Sequence, residues 1–145
     1  MNSILISFIF SFAPRRVTFL WFMASGAFAA TETKQYEVNQ IETLVVLNSS
    51  GDINIMASKS SQATVVANKV KFSDNCEMTQ KLDKKTLTIK VGAKRKNFFG
   101  WNDCKVNLDI TVAKKTALKL KGGSSDLAIS GMNAPVQFKL GSGDV

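Results

Sequence analysis

Residues 118–145 read Leu118-Lys-Leu-Lys-Gly122-Gly-Ser-Ser-Asp126-Leu-Ala-Ile-Ser-Gly131-Met-Asn-Ala-Pro135-Val-Gln-Phe-Lys-Leu140-Gly-Ser-Gly-Asp144-Val145. Three apolar pairs, Leu118/Leu120, Leu127/Ile129 and Val136/Phe138, recur every nine residues, and Val145 stands where the next pair would open. Within each pair the alternation has period two, the mark of a half-buried strand with one wet face. Gly/Ser/Asp turns separate the pairs. Two short strands with two turns make an 18-residue unit, as the spacing of Asp126 and Asp144 shows. Such a unit cannot bury its apolar side alone and must stack on copies of itself, which is the logic of a β-solenoid. The alternative is an antiparallel β-sandwich built from a meander with similar turns.

Upstream, Ser50-Gly51-Asp52-Ile53 is the same turn met once more. Leu44 and Val46, Ile53 and Ile55, the run Val65 to Phe72, then Leu87, Ile89 and Val91, then Val106, Leu108, Ile110 and Val112 all alternate as strands. Asn75 to Lys85 is short and weakly patterned, and reads as a loop or irregular strand. Residues 94–101 read as the wet tip of a hairpin between strands 85–91 and 106–112. The expected fold is therefore all-β, a short-strand solenoid with an N-terminal antiparallel portion. Val145 opens a rung that is not completed, so the apolar row Leu120, Ile129, Phe138 should lack a neighbour. An uncapped edge of this kind invites edge-to-edge self-association unless a partner covers it.

The charge balance is basic, with 19 Lys+Arg against 11 Asp+Glu and no histidine. The missing imidazole removes Ser-His and Cys-His nucleophile activation and His-ligated zinc. Arg15-Arg16, an apolar run and Ala27-Phe28-Ala29 match the three regions of a secretory signal. The expected organisation is a signal peptide over 1–29 and one β-repeat domain over 30–145, exported to the periplasm or the cell surface. Residues 30–145 then hold 17 basic and 11 acidic groups, a net +6, with Arg95 as their one arginine.

Cys76 and Cys104 form an even count in an exported chain, which reads as one structural disulfide enclosing 27 residues. In the chain-entropy picture it stabilises the fold by about 3–4 kcal/mol. The alternative is a metal or redox pair, for which the spacing and the missing further ligands are unsuited.

With the leader, Asn48-Ser-Ser-Gly-Asp-Ile-Asn-Ile55 and the Ser-Ser-Asp-Leu (124–127) and Gly-Ser-Gly-Asp-Val (141–145) turns, residues 40–145 resemble the bacterial exported putative-adhesin β-repeat families DUF4097 and DUF2807. The resemblance implies an envelope β-repeat module and brings no catalytic residues. Family members run on through more such turns, so this chain looks shortened at its C-terminus.

Three groups of residues could carry chemistry. Asp52, Asp126 and Asp144 in their Gly/Ser turns could bind calcium, as in solenoids with Gly-Gly-x-Gly-x-Asp repeats, or could cap turns by accepting backbone N–H groups. The turn reading is the stronger, and no metal or other cofactor is expected. Lys94, Arg95, Lys96, Phe98, Phe99 and Trp101 could dock on anionic lipid, lipopolysaccharide or glycan, aromatics inserting while cations hold the surface. Alternatively the disulfide folds this loop back so that its aromatics cover the sheet. Asp103 and Asp109 are the one close acidic pair near that loop, the thin basis for a polysaccharide-acting enzyme on a β-helix frame. The lysines, spread along the strands, suit an anionic envelope surface; nucleic acid is a poor fit without clustered arginine. The expectation is a binding or scaffolding module, not an enzyme.

Overall fold

The alternation of apolar and polar residues is expressed as strand. The structure is a computed structural model and describes residues 30–94 and 104–145. In chain order the strands are β1 (Ala30–Glu37), β2 (Thr43–Ser50), β3 (Ile53–Ala57), β4 (Gln62–Lys71), β5 (Cys76–Asp83), β6 (Thr86–Ala93), β7 (Lys105–Val112), β8 (Ala117–Ser124), β9 (Leu127–Ser130) and β10 (Val136–Ser142). Hydrogen bonds sort them into two facing five-stranded sheets: sheet A, in the order β1-β4-β7-β3-β9, and sheet B, in the order β10-β8-β2-β6-β5.

The parallel ladders define a stack. β6, β2, β8 and β10 run parallel in sheet B, and β7, β3 and β9 in sheet A. Three of these B strands are followed along the chain by an A strand, β6 by β7, β2 by β3 and β8 by β9, and each couple is one rung. The 18-residue unit appears directly in the register, with Val136 opposite Leu118 and Phe138 opposite Leu120. On the far side of the β6/β7 rung, β5 adds antiparallel to sheet B, and β4 and β1 to sheet A. The fold is thus a β-solenoid with an antiparallel portion at one end. Two facing sheets give it the outline of a sandwich, and its parallel pairing gives it the connectivity of a solenoid.

Three details differ from the sequence reading. Residues 76–83 form a regular edge strand, paired with β6 at all eight positions. β6 and β7 lie in opposite sheets, so the loop between them is a rung corner and not a hairpin tip. Leu120 and Ile129 also lie in opposite sheets; Phe138 adjoins Leu120, whereas Ile129 adjoins Ile55.

The core lies between the sheets as ladders of like upon like. Leu87, Leu44 and Leu118 stack across sheet B with Ile89, Val46 and Leu120 beside them, facing Leu108, Ile53 and Leu127 of sheet A. All are at most 4% exposed. Burying an aliphatic side chain of this size is worth about 1.5–3 kcal/mol, so the rungs are held by stacking and not by any single contact. The ladder runs out at β10. Val136 and Phe138 continue the inner rows, yet they are 38% and 51% exposed, because no strand among the described residues faces β10 from sheet A.

Candidate functional site: the rung corners

The corners where the chain passes from sheet B to sheet A hold Asp52 and Asp126, and Asp144 stands at the same place after β10. Between β2 and β3 the corner is two residues, Gly51-Asp52, and between β8 and β9 it is Ser125-Asp126. The two-residue corner makes strict demands on Gly51. Its φ is +112°, and a Cβ there would lie 2.2 Å from the Val106 carbonyl oxygen. Only glycine accepts both conditions.

The corners are tied rung to rung. The N–H groups of Leu108, Ile53 and Leu127 donate in turn to the carbonyls of Asp52, Asp126 and Asp144, at 2.8–2.9 Å. Side chains repeat the pattern: Asp144 N–H donates to Asp126 Oδ1 at 3.1 Å, and Asp52 N–H to Asn107 Oδ1 at 3.0 Å. Asp126 therefore behaves as a turn cap whose carboxylate holds the next rung. Among the described residues no three carboxylates or thiols converge into a metal-sized cluster.

Asn48 does related work from inside, and the sequence reading missed it. It continues the inward row of Leu44 and Val46, is 2% exposed, and its Nδ2 donates to Val106 O across the corner at 2.9 Å. The signal was its phase: an asparagine two residues beyond Val46 must face the core, where it needs a partner.

The β6/β7 corner departs from its neighbours. It spans eleven residues, 94–104, where the equivalent corners use two. Cys76, the first residue of β5, is bonded to Cys104 at its base, with Cα atoms 5.6 Å apart and both cysteines buried. Lys94 closes the other side. Its backbone N–H donates to Asn75 O at 2.7 Å and its Nζ to Asp74 O at 2.9 Å. Ser49 Oγ adds a bond to Cys104 O at 3.2 Å. Arg95, Lys96, Phe98, Phe99, Trp101 and Asp103 lie outside the described residues. Asp109 is exposed on the outer face of sheet A, where its Oδ1 accepts from Asn54 Nδ2 at 2.9 Å.

Stacked two-strand rungs, capped corners and an antiparallel end define the class: a β-repeat solenoid with one enlarged, disulfide-based corner. The chain belongs to the Toastrack DUF4097 family, whose model matches residues 41–145. Among solved structures it is similar to a putative cell adhesion protein from Clostridium sporogenes (16% identity, 79% of this chain and 58% of that one, TM-score 0.46). It is also similar to a putative adhesin from Bacteroides fragilis (14% identity, 77% and 53%, TM-score 0.43). A putative lipid binding protein from Parabacteroides distasonis aligns at 13% identity over 76% of this chain and 61% of that one, TM-score 0.34. The chain spans somewhat more than half the length of each of these. A comparison with curated proteins finds no match.

Proposed function

We propose that this chain is an exported module of the bacterial cell envelope that binds or scaffolds and performs no catalysis. The observation that supports it best is the use to which the corner side chains are put. Asn48 Nδ2, Asn107 Oδ1 and Asp126 Oδ1 each hold one rung to the next. What such a frame offers outward is a regular lattice of side chains, suited to contact over an area. The buried Cys76–Cys104 disulfide fits an oxidising compartment, as export through a 1–29 signal would provide. Cell fractionation with N-terminal sequencing tests the proposal. Material outside the cytoplasm that begins at Ala30 is expected; residues 1–29 intact on exported protein would overturn the leader reading. Depolymerisation of an envelope polysaccharide by the purified chain would overturn the non-catalytic one.

The enlarged corner supports a second reading, a ligand site at 94–101. Insertions in solenoid repeats collect on the binding side, and this one is clamped at its base. Low-micromolar binding to lipopolysaccharide that disappears in Phe98→Ala/Phe99→Ala/Trp101→Ala would support it, and unchanged binding would remove it.

A further inference from the structure

The lysines that look scattered in sequence are gathered by the fold. Parallel register brings Lys139, Lys121, Leu47, Lys90 and Thr79 into one row across sheet B. Gln137, Lys119, Val45, Thr88 and Lys81 form the next row. Every one of these positions is out of phase with the buried residues of its strand, so both rows lie on the outer face, and all five lysines are exposed.

Four strands of this face, β10, β8, β2 and β6, carry no outward acid. Glu77 and Asp83 are confined to the edge strand β5. The ion pairs among the described residues use Lys34, Lys69 and Lys85, so none of the five is paired. Lys139 and Lys121 are direct cross-strand neighbours, about 4.8 Å apart along the sheet, an arrangement that costs stability. In sheet A the outer positions Asn54, Thr64, Val66, Asp109 and Thr111 hold no lysine, and the one directly opposed lysine pair of β4 and β7, Lys71 and Lys105, lies at the strand ends. Solubility alone is served by mixed signs. A face of one sign, with like charges adjacent, is what an anionic partner would neutralise.

The shape narrows the partner. The third outward row, Gly141, Gly123, Ser49 and Gly92, raises nothing above a serine until it reaches Glu77 on the edge strand, so over β10, β8, β2 and β6 lysine stems are the tallest groups. Among the described residues its outward positions present no aromatic ring for a sugar to stack on. It presents no arginine fork for bidentate recognition of one phosphate either. Lysine is a point charge on a flexible stem, suited to a diffuse field. We propose that the outer face of sheet B is a docking surface for an anionic phospholipid bilayer, held by lysine charge without insertion. The proposal uses the envelope reading only to say where lipid would be met. Its five lysines stand on β5, β6, β8 and β10, outside the 94–101 segment in sequence.

Vesicle co-sedimentation of the full chain tests this, with phosphatidylcholine alone compared against phosphatidylcholine containing 30 mol% phosphatidylglycerol, roughly a physiological anionic load. The leader is common to all variants, so differences between variants report the face. Each lysine near an anionic surface raises partitioning about five-fold. Lys119→Gln/Lys121→Gln/Lys139→Gln should therefore weaken binding to the anionic vesicles roughly 100-fold at low salt. Its melting temperature should equal or slightly exceed the wild type's, since the three side chains are exposed and the Lys121/Lys139 repulsion is removed. Glu77→Lys should strengthen binding. Lys94→Ser/Arg95→Ser/Lys96→Ser should leave most of it in place. Wild-type binding by the triple glutamine variant would overturn the proposal. So would loss confined to the 94–96 variant, which would favour the corner instead. Capture of dextran sulfate with no preference for anionic vesicles would overturn it in favour of an acidic glycan.

Discussion

Tyr36 is the one tyrosine of the chain, and it joins the two sheets at their antiparallel end. From β1 its hydroxyl donates to Gln80 Oε1 of β5 at 3.1 Å. Burial, and then the nearby Glu32 carboxylate, push its pKa above the ordinary value near 10. The folded chain therefore holds this proton at a pH where the unfolded chain has released it. The stabilisation is complete below pH 10 and is lost as pH rises through the folded pKa. Phenolate absorbance should titrate above pH 10 in the native protein. Tyr36→Phe should flatten the alkaline fall in stability at a cost of about 1 kcal/mol for the lost bond. A native midpoint at or below 10 would count against this account. The burial of Asn48 belongs to the same scale. It was legible in the phase of β2, but its Asn48-Ser-Ser-Gly-Asp setting reads first as a turn.

At the scale of elements, the disulfide is the device with the largest expected effect. It ties the start of β5 to the residue before β7, and so joins sheet B to sheet A at the corner that has eleven residues to constrain. Cys76→Ser should lower unfolding stability by about 2–4 kcal/mol and the melting temperature by roughly 10 °C. Alkylation of unreduced exported protein should label no thiol. A melting temperature indifferent to the substitution, or two labelled thiols, would contradict it. The cysteine pair was readable from its even count and the expected export, whereas the strand Cys76 sits on was not. β5 turns into β6 through Lys84-Lys85, both with positive φ (45° and 64°), where hairpins of this kind favour Asn-Gly. Without that turn signal, residues 75–85 lost their strand character on paper.

Over the whole molecule the two ends of the stack are treated differently. The antiparallel end has β1 and β5, bridged by Tyr36 and Gln80, with Phe72 and Met78 packed against the core. At the other end, among the described residues, β10 is paired on one side only, and Val136, Phe138 and Val145 are 38%, 51% and 72% exposed. An edge with unpaired backbone and apolar side chains recruits another strand. We expect concentration-dependent self-association in sedimentation, reduced in Phe138→Lys, with the core melting unaltered. A monomer at high protein concentration that is indifferent to Phe138→Lys would show that this edge is already protected.

The sequence by itself determined that the chain is all-β, that its unit is 18 residues long, and that its cysteines pair. Each of these rests on a short-range signal: period-two alternation, the recurrence of Gly/Ser/Asp turns, and an even cysteine count. Only the tertiary structure decided that β2/β3 is stacked between β6/β7 and β8/β9, and that five dispersed lysines share one face. Those facts depend on parallel register, which sets Thr43 beside both Thr86 and Ala117. A parallel ladder joins strands through backbone hydrogen bonds that every residue but proline can make. Which strands become neighbours is then chosen by how the buried ladders of Leu, Ile and Val fit together, and no local pattern in the chain records that choice.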